Sequence, residues 1–374
     1  MIYVSLIIIL AYILLIILFS IGFDNVKIFD SFEGSVKNRF SIIVPFRNEA
    51  KNLPSLLQSI EKLHYPKELF EVLFVNDESE DNSVKIIERF FANAQNDIQI
   101  LENIRSSNSP KKDAIETAIN TAKNEWIVTT DADCILPERW LQVFDTFIQQ
   151  HKPYFIAAPV TYPIAKSFLN RFQLLDLLSL QGATIGGFGI RKPFLCNGAN
   201  LCYKKAIFLE VNGFSGNEKI ASGDDIFLME KFLKKHPEKV TYLKSNEAIV
   251  LTQPQPTISD LLHQRKRWAA KSTHYQNIFG KLAAILVFAM NALIVVLLLL
   301  SLLGFFPWKH LVFIFIIKMV FDNLLLFKTA YYFKQQKVLT AAFLSSFIYP
   351  FFSMFVAIAS LQGNYNWKGR TFKK

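Results

Sequence analysis

The segment Trp126-Ile127-Val128-Thr129-Thr130-Asp131-Ala132-Asp133 decides how the chain is read. Its first five residues form a short apolar, β-branched run, the pattern of a buried strand. That strand delivers two carboxylates separated by one residue, Asp131 and Asp133. Carboxylates so placed can share a hard cation, Mg²⁺ or Mn²⁺, which prefers oxygen ligands and keeps coordination places open for phosphate. An Asp-x-Asp pair alone is a frequent accident of acidic loops, so its surroundings must give it weight.

Upstream, Phe40–Val44 (FSIIV) is a second buried-strand run, closed by Pro45. Phe70–Val75 (FEVLFV) is a third, running into Asn76-Asp77-Glu78-Ser79, and Ile98–Leu101 a fourth. Leu53, Leu56, Leu57 and Ile60 recur at helical spacing within Asn48–Glu61, and residues 83–91 and 114–122 also read as helices. Strands alternating with helices predict an α/β fold with a mostly parallel sheet covered on both faces. In such sheets ligands bind beyond the carboxyl ends of the strands. Here three of those ends carry the polar clusters 45–49, 76–81 and 131–133. Lys111 and Lys112 precede a helix, where they offer positive charge to a phosphate or simply face solvent. No Walker loop and no GxGxxG occurs, so phosphate has to be held by metal and side chains. Downstream, Asn197-Gly198-Ala199-Asn200 is a turn with room for a ligand. Ser222-Gly223-Asp224-Asp225 opens a helix over 226–234, where acids also serve as caps.

The whole chain has 374 residues, a formal charge of +10, 51% hydrophobic residues and 19% charged residues. Soluble domains carry about a quarter charged residues. The 36 Phe against 14 Gly and 14 Pro exclude disordered and collagen-like classes. Cys134, Cys196 and Cys202 are scattered, giving neither a disulfide framework nor a CxxC zinc site. The apolar residues are unevenly spread. Met1–Phe23 is uncharged and long enough to span a bilayer, which takes about 20 residues. It lacks the basic start and small-residue cleavage site of a signal peptide and reads as an uncleaved anchor. Leu282–Phe306, Leu311–Ala330 and Val338–Leu361 are three further runs. The expected organisation is an anchor (1–23), a linker (24–39), a globular domain (40–255), an amphipathic basic interfacial segment (256–280), about three membrane helices (281–361) and a basic tail (362–374).

Lys318 and Asp322 stand one turn apart within a membrane run, where they pair and fix helix packing or meet a lipid head group. Lys334 and Lys337, and separately Lys368, Arg370, Lys373 and Lys374 in the tail, both argue for the cytoplasmic side. Both hold if the run around Pro350 is re-entrant or interfacial; if that run crosses completely, the tail is an exception. The expectation is a multi-pass protein of the cell membrane with its globular domain cytoplasmic. No recognition helix or stacking platform accompanies the basic excess, so its partner is a lipid surface and not nucleic acid.

Seven short motifs follow one another in order: I-V-P-x-x-N-E (Ile43–Glu49), V-N-D-E-S (Val75–Ser79), K-x-x-A-I (Lys111–Ile115), T-D-A-D (Thr130–Asp133), N-G-A-N (Asn197–Asn200), G-D-D-x-x-L (Gly223–Leu228) and Q-x-x-R-W (Gln264–Trp268). Together they resemble the membrane-bound family 2 glycosyltransferases of GT-A fold, in the branch of cellulose and hyaluronan synthases and ceramide glucosyltransferases. The resemblance implies that Pro45, Asn48, Glu49 and Asp77 line the nucleotide, with Lys111 assisting there or at the phosphates. It implies a metal on Asp131 and Asp133, a general base at Asp225 beside Asp224, and Gln264, Arg267 and Trp268 closing over the diphosphate and the acceptor side. Asn197, Gly198 and Asn200 fall on the acceptor side. Asn76 and Glu78 depart from the family's acid and glycine, and Asp224 replaces a glutamate. The tail Trp367-Lys368-Gly369-Arg370 resembles a closing motif of lipid-directed relatives. The implied reaction is inverting transfer of a sugar from a nucleotide-diphosphate sugar, UDP by family precedent, to a membrane lipid. A processive polysaccharide synthase is the alternative, and a catalytically dead nucleotide-sugar-binding scaffold conflicts with the presence of Asp131, Asp133 and Asp225.

Overall fold

The computed structural model describes residues 2–31, 35–92, 97–164, 166–218, 220, 222–272, 275–361, 365–367 and 370–372. Helix α1 (Ile2–Asn25) precedes an alternating half: β1 (Phe40–Phe46), α2 (Leu53–Glu61), β2 (Phe70–Asn76), α3 (Ser83–Phe90), β3 (Asp97–Glu102), α4 (Pro110–Thr121) and β4 (Trp126–Thr129). Then come α5 (Trp140–His151), β5 (Phe155–Ala157), β6 (Val160–Thr161), α6 (Phe168–Gly189), β7 (Leu201–Lys204), α7 (Lys205–Glu210), α8 (Asp224–Lys235), β8 (Val240–Tyr242) and β9 (Val250–Leu251). The chain continues through α9 (Ile258–Ser272), α10 (Ile278–Leu302), α11 (Trp308–Tyr332) and α12 (Ala342–Leu361) to a hairpin of β10 (Tyr365–Trp367) and β11 (Arg370–Phe372).

The main sheet runs β3-β2-β1-β4-β7-β5-β8. Neighbours are parallel except around β7, which is antiparallel to both β4 and β5. This is the expected α/β architecture. Strands β1 and β2 are buried along almost their whole length, which is why their sequences read as apolar runs without alternation. Parallel register brings Phe46 beside Asn76, and Asn76 beside Glu102, so three strand ends open on one edge. The helix expected from Asn48 begins at Leu53 instead, because Asn48 takes the left-handed conformation (φ 52°) and turns the chain first.

Among the described residues four helices are long and apolar enough to cross a membrane: Tyr3–Asn25, Ile278–Leu302, Trp308–Tyr332 and Gln336–Leu361. Their bounds differ from the expected runs by a few residues: the second starts before Leu282 and ends at Leu302, short of Phe306, while the third extends past both ends of Leu311–Ala330. The segment 256–280, expected as one amphipathic stretch, is split: α9 ends at Ser272, and α10 restarts where the Asn277 side chain accepts the Gly280 N–H. One face of the sheet shares its core with the membrane helices, since Ile43, Leu174 and Ile185 lie in one apolar cluster with Phe19, Met290 and Leu325.

Helix α6 is the joint. It packs along α1 and α11, and the α1–α6 crossing is so close that only glycine fits. A Cβ on Gly186 would lie 2.5 Å from the Phe19 carbonyl oxygen, and one on Gly189 1.8 Å from that of Gly22. The far end of α1 is docked by Lys244, whose buried ammonium donates to the carbonyls of Phe23 (2.6 Å) and Val26 (3.0 Å). Lys318 and Asp322 do pair, and the Tyr12 hydroxyl of α1 also donates to Asp322. The pair therefore fastens α11 to α1.

Replacing Gly186 with Leu is expected to force α1 off α6, costing about 1–3 kcal/mol as overpacking of a tight contact. The check is the melting temperature of detergent-purified protein, and an unchanged value would contradict the close crossing.

Candidate active site

The strand ends build a cluster of charges from distant parts of the chain. Lys111, at the start of α4, places its ammonium 2.6 Å from Asp131 and 3.2 Å from Asp224. Burial alone would lower Lys111, but the two carboxylates outweigh it and raise its pKa. Burial likewise would raise Asp224, yet Lys111 and Lys271 hold its carboxyl below the usual range. Asp225 lies 3.3 Å from Lys271 of α9. Gly198 lets the backbone reach this cluster: a Cβ there would sit 2.8 Å from Asp224 and 3.3 Å from Lys111.

Two cavities meet here. One, of about 790 Å³, is lined by Pro45, Glu49, Asp77 and Asp260 among others. The second, of about 900 Å³, begins at Asn197, Gly198, Asp224, Asp225 and Trp268 and runs out between α6, α10 and α12. Lys111, Asp131, Asp133, Gln264 and Arg267 line both, forming the wall between them. Asn48 lines neither cavity; its backbone N–H donates to Ser79 and its side chain accepts from Glu80, locking the first two strand-end turns together. Asn200 is also removed from the cavity. It is fully buried, donating to the carbonyls of Pro159 and Ala248 and accepting from the Trp140 indole, so its side chain has a structural task.

Asp77 accepts hydrogen bonds from Asn103 (2.7 Å), Arg105 (2.8 Å) and Arg370 of β11 (2.6 Å). The two arginines went unassigned in the sequence reading of this site. Arg370 stands 293 positions from Asp77, beyond any local pattern, and of its motif Lys368 and Gly369 lie outside the described residues, as do Lys373 and Lys374.

The description Glycosyl transferase family 2 fits residues 41–208, and Glycosyl transferase family group 2 fits residues 126–333, more than half of the chain. The chain belongs to glycosyltransferase family 2. This glycosyltransferase is 32% identical over 113 residues to the poly(ribitol-phosphate) β-N-acetylglucosaminyltransferase TarS of Staphylococcus aureus, covering 30% of the chain and 19% of that protein. It is 26% identical over 186 residues to the glycosyltransferase AglE of Haloferax volcanii (49% and 58% of the two chains). Over 234 residues it is 24% identical to the poly-β-1,6-N-acetyl-D-glucosamine synthase of Staphylococcus epidermidis (61% and 53%). The matches thus span 19% to 58% of these relatives. In fold it is similar to the mannosyltransferase PcManGT from Pyrobaculum calidifontis, solved with GDP-Man and Mn²⁺, with a TM-score of 0.57 at 15% identity over 96% of this chain and 97% of that one.

The Q-x-x-R-W segment of this glycosyltransferase is held from behind by a residue inside the motif. Arg265 is buried, its Nε donates to Asp176 of α6 at 2.6 Å, and its guanidinium lies 4.1 Å from the Trp268 ring centre. It also donates to the Gln264 side chain. Burial would lower Arg265, but Asp176 and Tyr162 raise it. The signal for this pair was Asp176 itself, the lone acid in the apolar stretch Leu174–Leu178.

Lys112, read as a phosphate neutraliser or a solvated loop, does neither. It is 1% exposed, donates to the carbonyls of Asn217 and Ile220 at 2.8 Å each, and lies over the Phe227 ring. It thereby pins the approach to Asp224 and Asp225. Burial brings its pKa down to about 8, against the pull of Asp224, Asp225 and Glu218 and with Lys271 adding to the fall. An unfolded chain keeps this proton to about 10.4. The folded protein therefore carries the cost of a buried charge below pH 8 and is relieved as pH rises toward 10.4, where the unfolded chain binds the extra proton. The melting temperature of the wild type minus that of Lys112→Met is expected to rise between pH 8 and pH 10, and a gap independent of pH would contradict a buried, shifted ammonium.

Proposed function

We propose that this glycosyltransferase moves a sugar from a nucleotide-diphosphate donor, UDP-linked by its motifs, to a lipid acceptor with inversion at the anomeric carbon. The observation that carries the reading is the second cavity. It starts at the acidic cluster and ends in an apolar crevice walled by Leu177, Leu180, Ala283, Val287, Phe352 and Val356. A crevice open among membrane helices suits an acyl or prenyl chain, and the more polar first cavity suits a nucleotide. One wall of side chains separates the two, where the transferred sugar has to pass.

The residues fit a divalent cation. Asp131 and Asp133 supply hard oxygen ligands on the wall facing both cavities. Among the described residues no three His, Cys, Asp or Glu side chains converge, which suits a cation completed by the donor's phosphates and water instead of a protein cage. When bound, such a cation neutralises charge on the departing diphosphate. Arg267, on the same wall, adds a fixed positive charge there. Asp225, at the start of α8 and facing the acceptor cavity, takes the proton of the attacking hydroxyl. Gln264 and Trp268, braced through Arg265, shape the boundary at which donor and acceptor meet.

The contacts at the two ends of α12 support a membrane placement. Just before the short 3-10 turn (Gln336–Ala341) that leads into α12, Gln335 donates to the Tyr162 carbonyl and accepts from Thr161 of β6. Beyond its end, Arg370 reaches Asp77. Both ends thus return to the catalytic domain, and α12 packs along α9 and α10. This supports an α12 that lies in the interface over the acceptor cavity, leaving α1, α10 and α11 as crossings. Lys334, Lys337 and the basic tail then share the cytoplasmic side with the catalytic domain, which removes the conflict in the charge pattern.

In proteoliposomes with Mn²⁺ and a panel of labelled nucleotide sugars, a single glycosylated species is expected in the organic phase. Chelation should abolish it and added Mn²⁺ restore it. Asp225→Asn should reduce it about 10²–10⁴-fold, the range for loss of a general base. A ladder of water-soluble products would replace this reading with a processive synthase, and full activity of Asp225→Asn would remove the assigned base. For topology, cysteines replacing Lys337 and Lys374 are expected to react with a membrane-impermeant thiol reagent from the same side. Labelling from opposite sides would show that α12 crosses.

A further inference from the structure

The lining of the acceptor cavity is electrically balanced, and this balance bears on the head group it admits. Its carboxylates are Asp131, Asp133, Asp176, Asp224 and Asp225. Its cations are Lys111, Arg265, Arg267, Lys271 and Lys281. Three of the cations are held by acids of the same cavity: Lys111 by Asp131 and Asp224, Lys271 by Asp225, and Arg265 by Asp176. Arg267 also lines the donor cavity, where the diphosphate needs it. Lys281 is exposed in the first turn of α10; burial raises the nearby Glu230 carboxyl, offset in part by the Asn277 and Gln276 N–H groups and then by Lys281.

Thr184 of α6, and Tyr349 and Ser353 of α12, add uncharged polar groups to the same lining. An anionic head group placed beside Asp225 would meet Asp224 within the same turn and no surplus positive charge to balance it. In a site walled by apolar side chains such an uncompensated charge is strongly disfavoured. A donor diphosphate is different, since it arrives with its own divalent cation. An uncharged head group carrying a hydroxyl has no such penalty and supplies the proton that Asp225 is placed to remove.

We infer that the acceptor is a neutral, hydroxyl-bearing lipid and not a lipid phosphate. This rests on the lipid-acceptor reading above and sharpens it. The hydroxyl oxygen attacks the anomeric carbon and forms the new C–O bond. The bond from that carbon to the diphosphate oxygen breaks, its electron pair leaves with the diphosphate, and the hydroxyl proton passes to Asp225. A phosphate acceptor is already largely ionised at neutral pH, its second pKa being about 6, and would leave Asp225 without a proton to take.

The test uses the full chain in nanodiscs with Mn²⁺ and the labelled nucleotide-sugar panel. Each nanodisc preparation contains one added acceptor, either diacylglycerol, representing a neutral hydroxyl lipid, or undecaprenyl phosphate. A parallel pair uses membrane lipid extract divided into neutral and anionic fractions by anion exchange. Label is expected in the organic phase with the neutral extract fraction, as a product stable to mild acid, at least 10-fold above the anionic arms. A mild-acid-labile product in the undecaprenyl-phosphate or anionic arm would overturn the inference while leaving a lipid acceptor standing. Product confined to water-soluble chains, or absent from every lipid arm, would overturn the lipid reading as well. Ala357→Trp, which fills the crevice on α12, is expected to lower transfer to the neutral lipid at least 10-fold while leaving UDP binding by calorimetry unchanged. Transfer unaffected by Ala357→Trp would place the acceptor elsewhere.

Discussion

Asp176 and Arg265 face each other at 2.6 Å with side chains about 5% exposed, one on a helix packed against α1 and α11, the other on the helix that carries Gln264 and Trp268. Neither charge tolerates that depth alone, and removing one partner of such a pair typically costs about 3–5 kcal/mol. The requirement that they meet fixes the angle at which α9 lies on α6. Since α6 is itself clamped against α1 and α11, the position of the Q-x-x-R-W segment over the Asp-x-Asp turn is set by helices in the membrane. The indole of Trp268 is held flat by the same guanidinium. Catalytic geometry and membrane packing are thus one problem with one solution.

A similar economy governs the charges around Lys111. Its ammonium stands between Asp131, which follows β4, and Asp224, which opens α8. Asp131 lies on the wall between the two cavities, and Asp224 lines the second of them. A single cation therefore keeps mutually repelling carboxylates close together, and a change of charge on one side is felt on the other through a contact of about 3 Å.

The central strands were legible because a strand buried on both faces must be apolar throughout, as Phe40–Val44 and Phe70–Val75 are. The strand-end acids were legible for the complementary reason: a charge directly after such a run has only the sheet edge to occupy. Strands β5, β6, β8 and β9, two or three residues each, are too short to carry a period and were not read. Helix α6 passed as part of an ordinary soluble domain because its glycines look like breaks, whereas Gly186 and Gly189 mark where another backbone crosses. Asn197 and Asn200 were indistinguishable in sequence, yet one lines the cavity and the other satisfies three core groups. Arg370 at Asp77 depends on where α12 returns, which no local spacing encodes.

The glycine crossing also changes what the first helix is. Phe19 of α1 lines the larger cavity and stacks on Phe194 with ring centres 5.5 Å apart, while Gly22 lies against Gly186 and Gly189. A leash could be cut without harm to what it tethers. A wall stud could not, and α1 is the stud: a version of this enzyme trimmed of it would lose one side of the larger cavity and bare a seam of backbone that side chains were never there to cover.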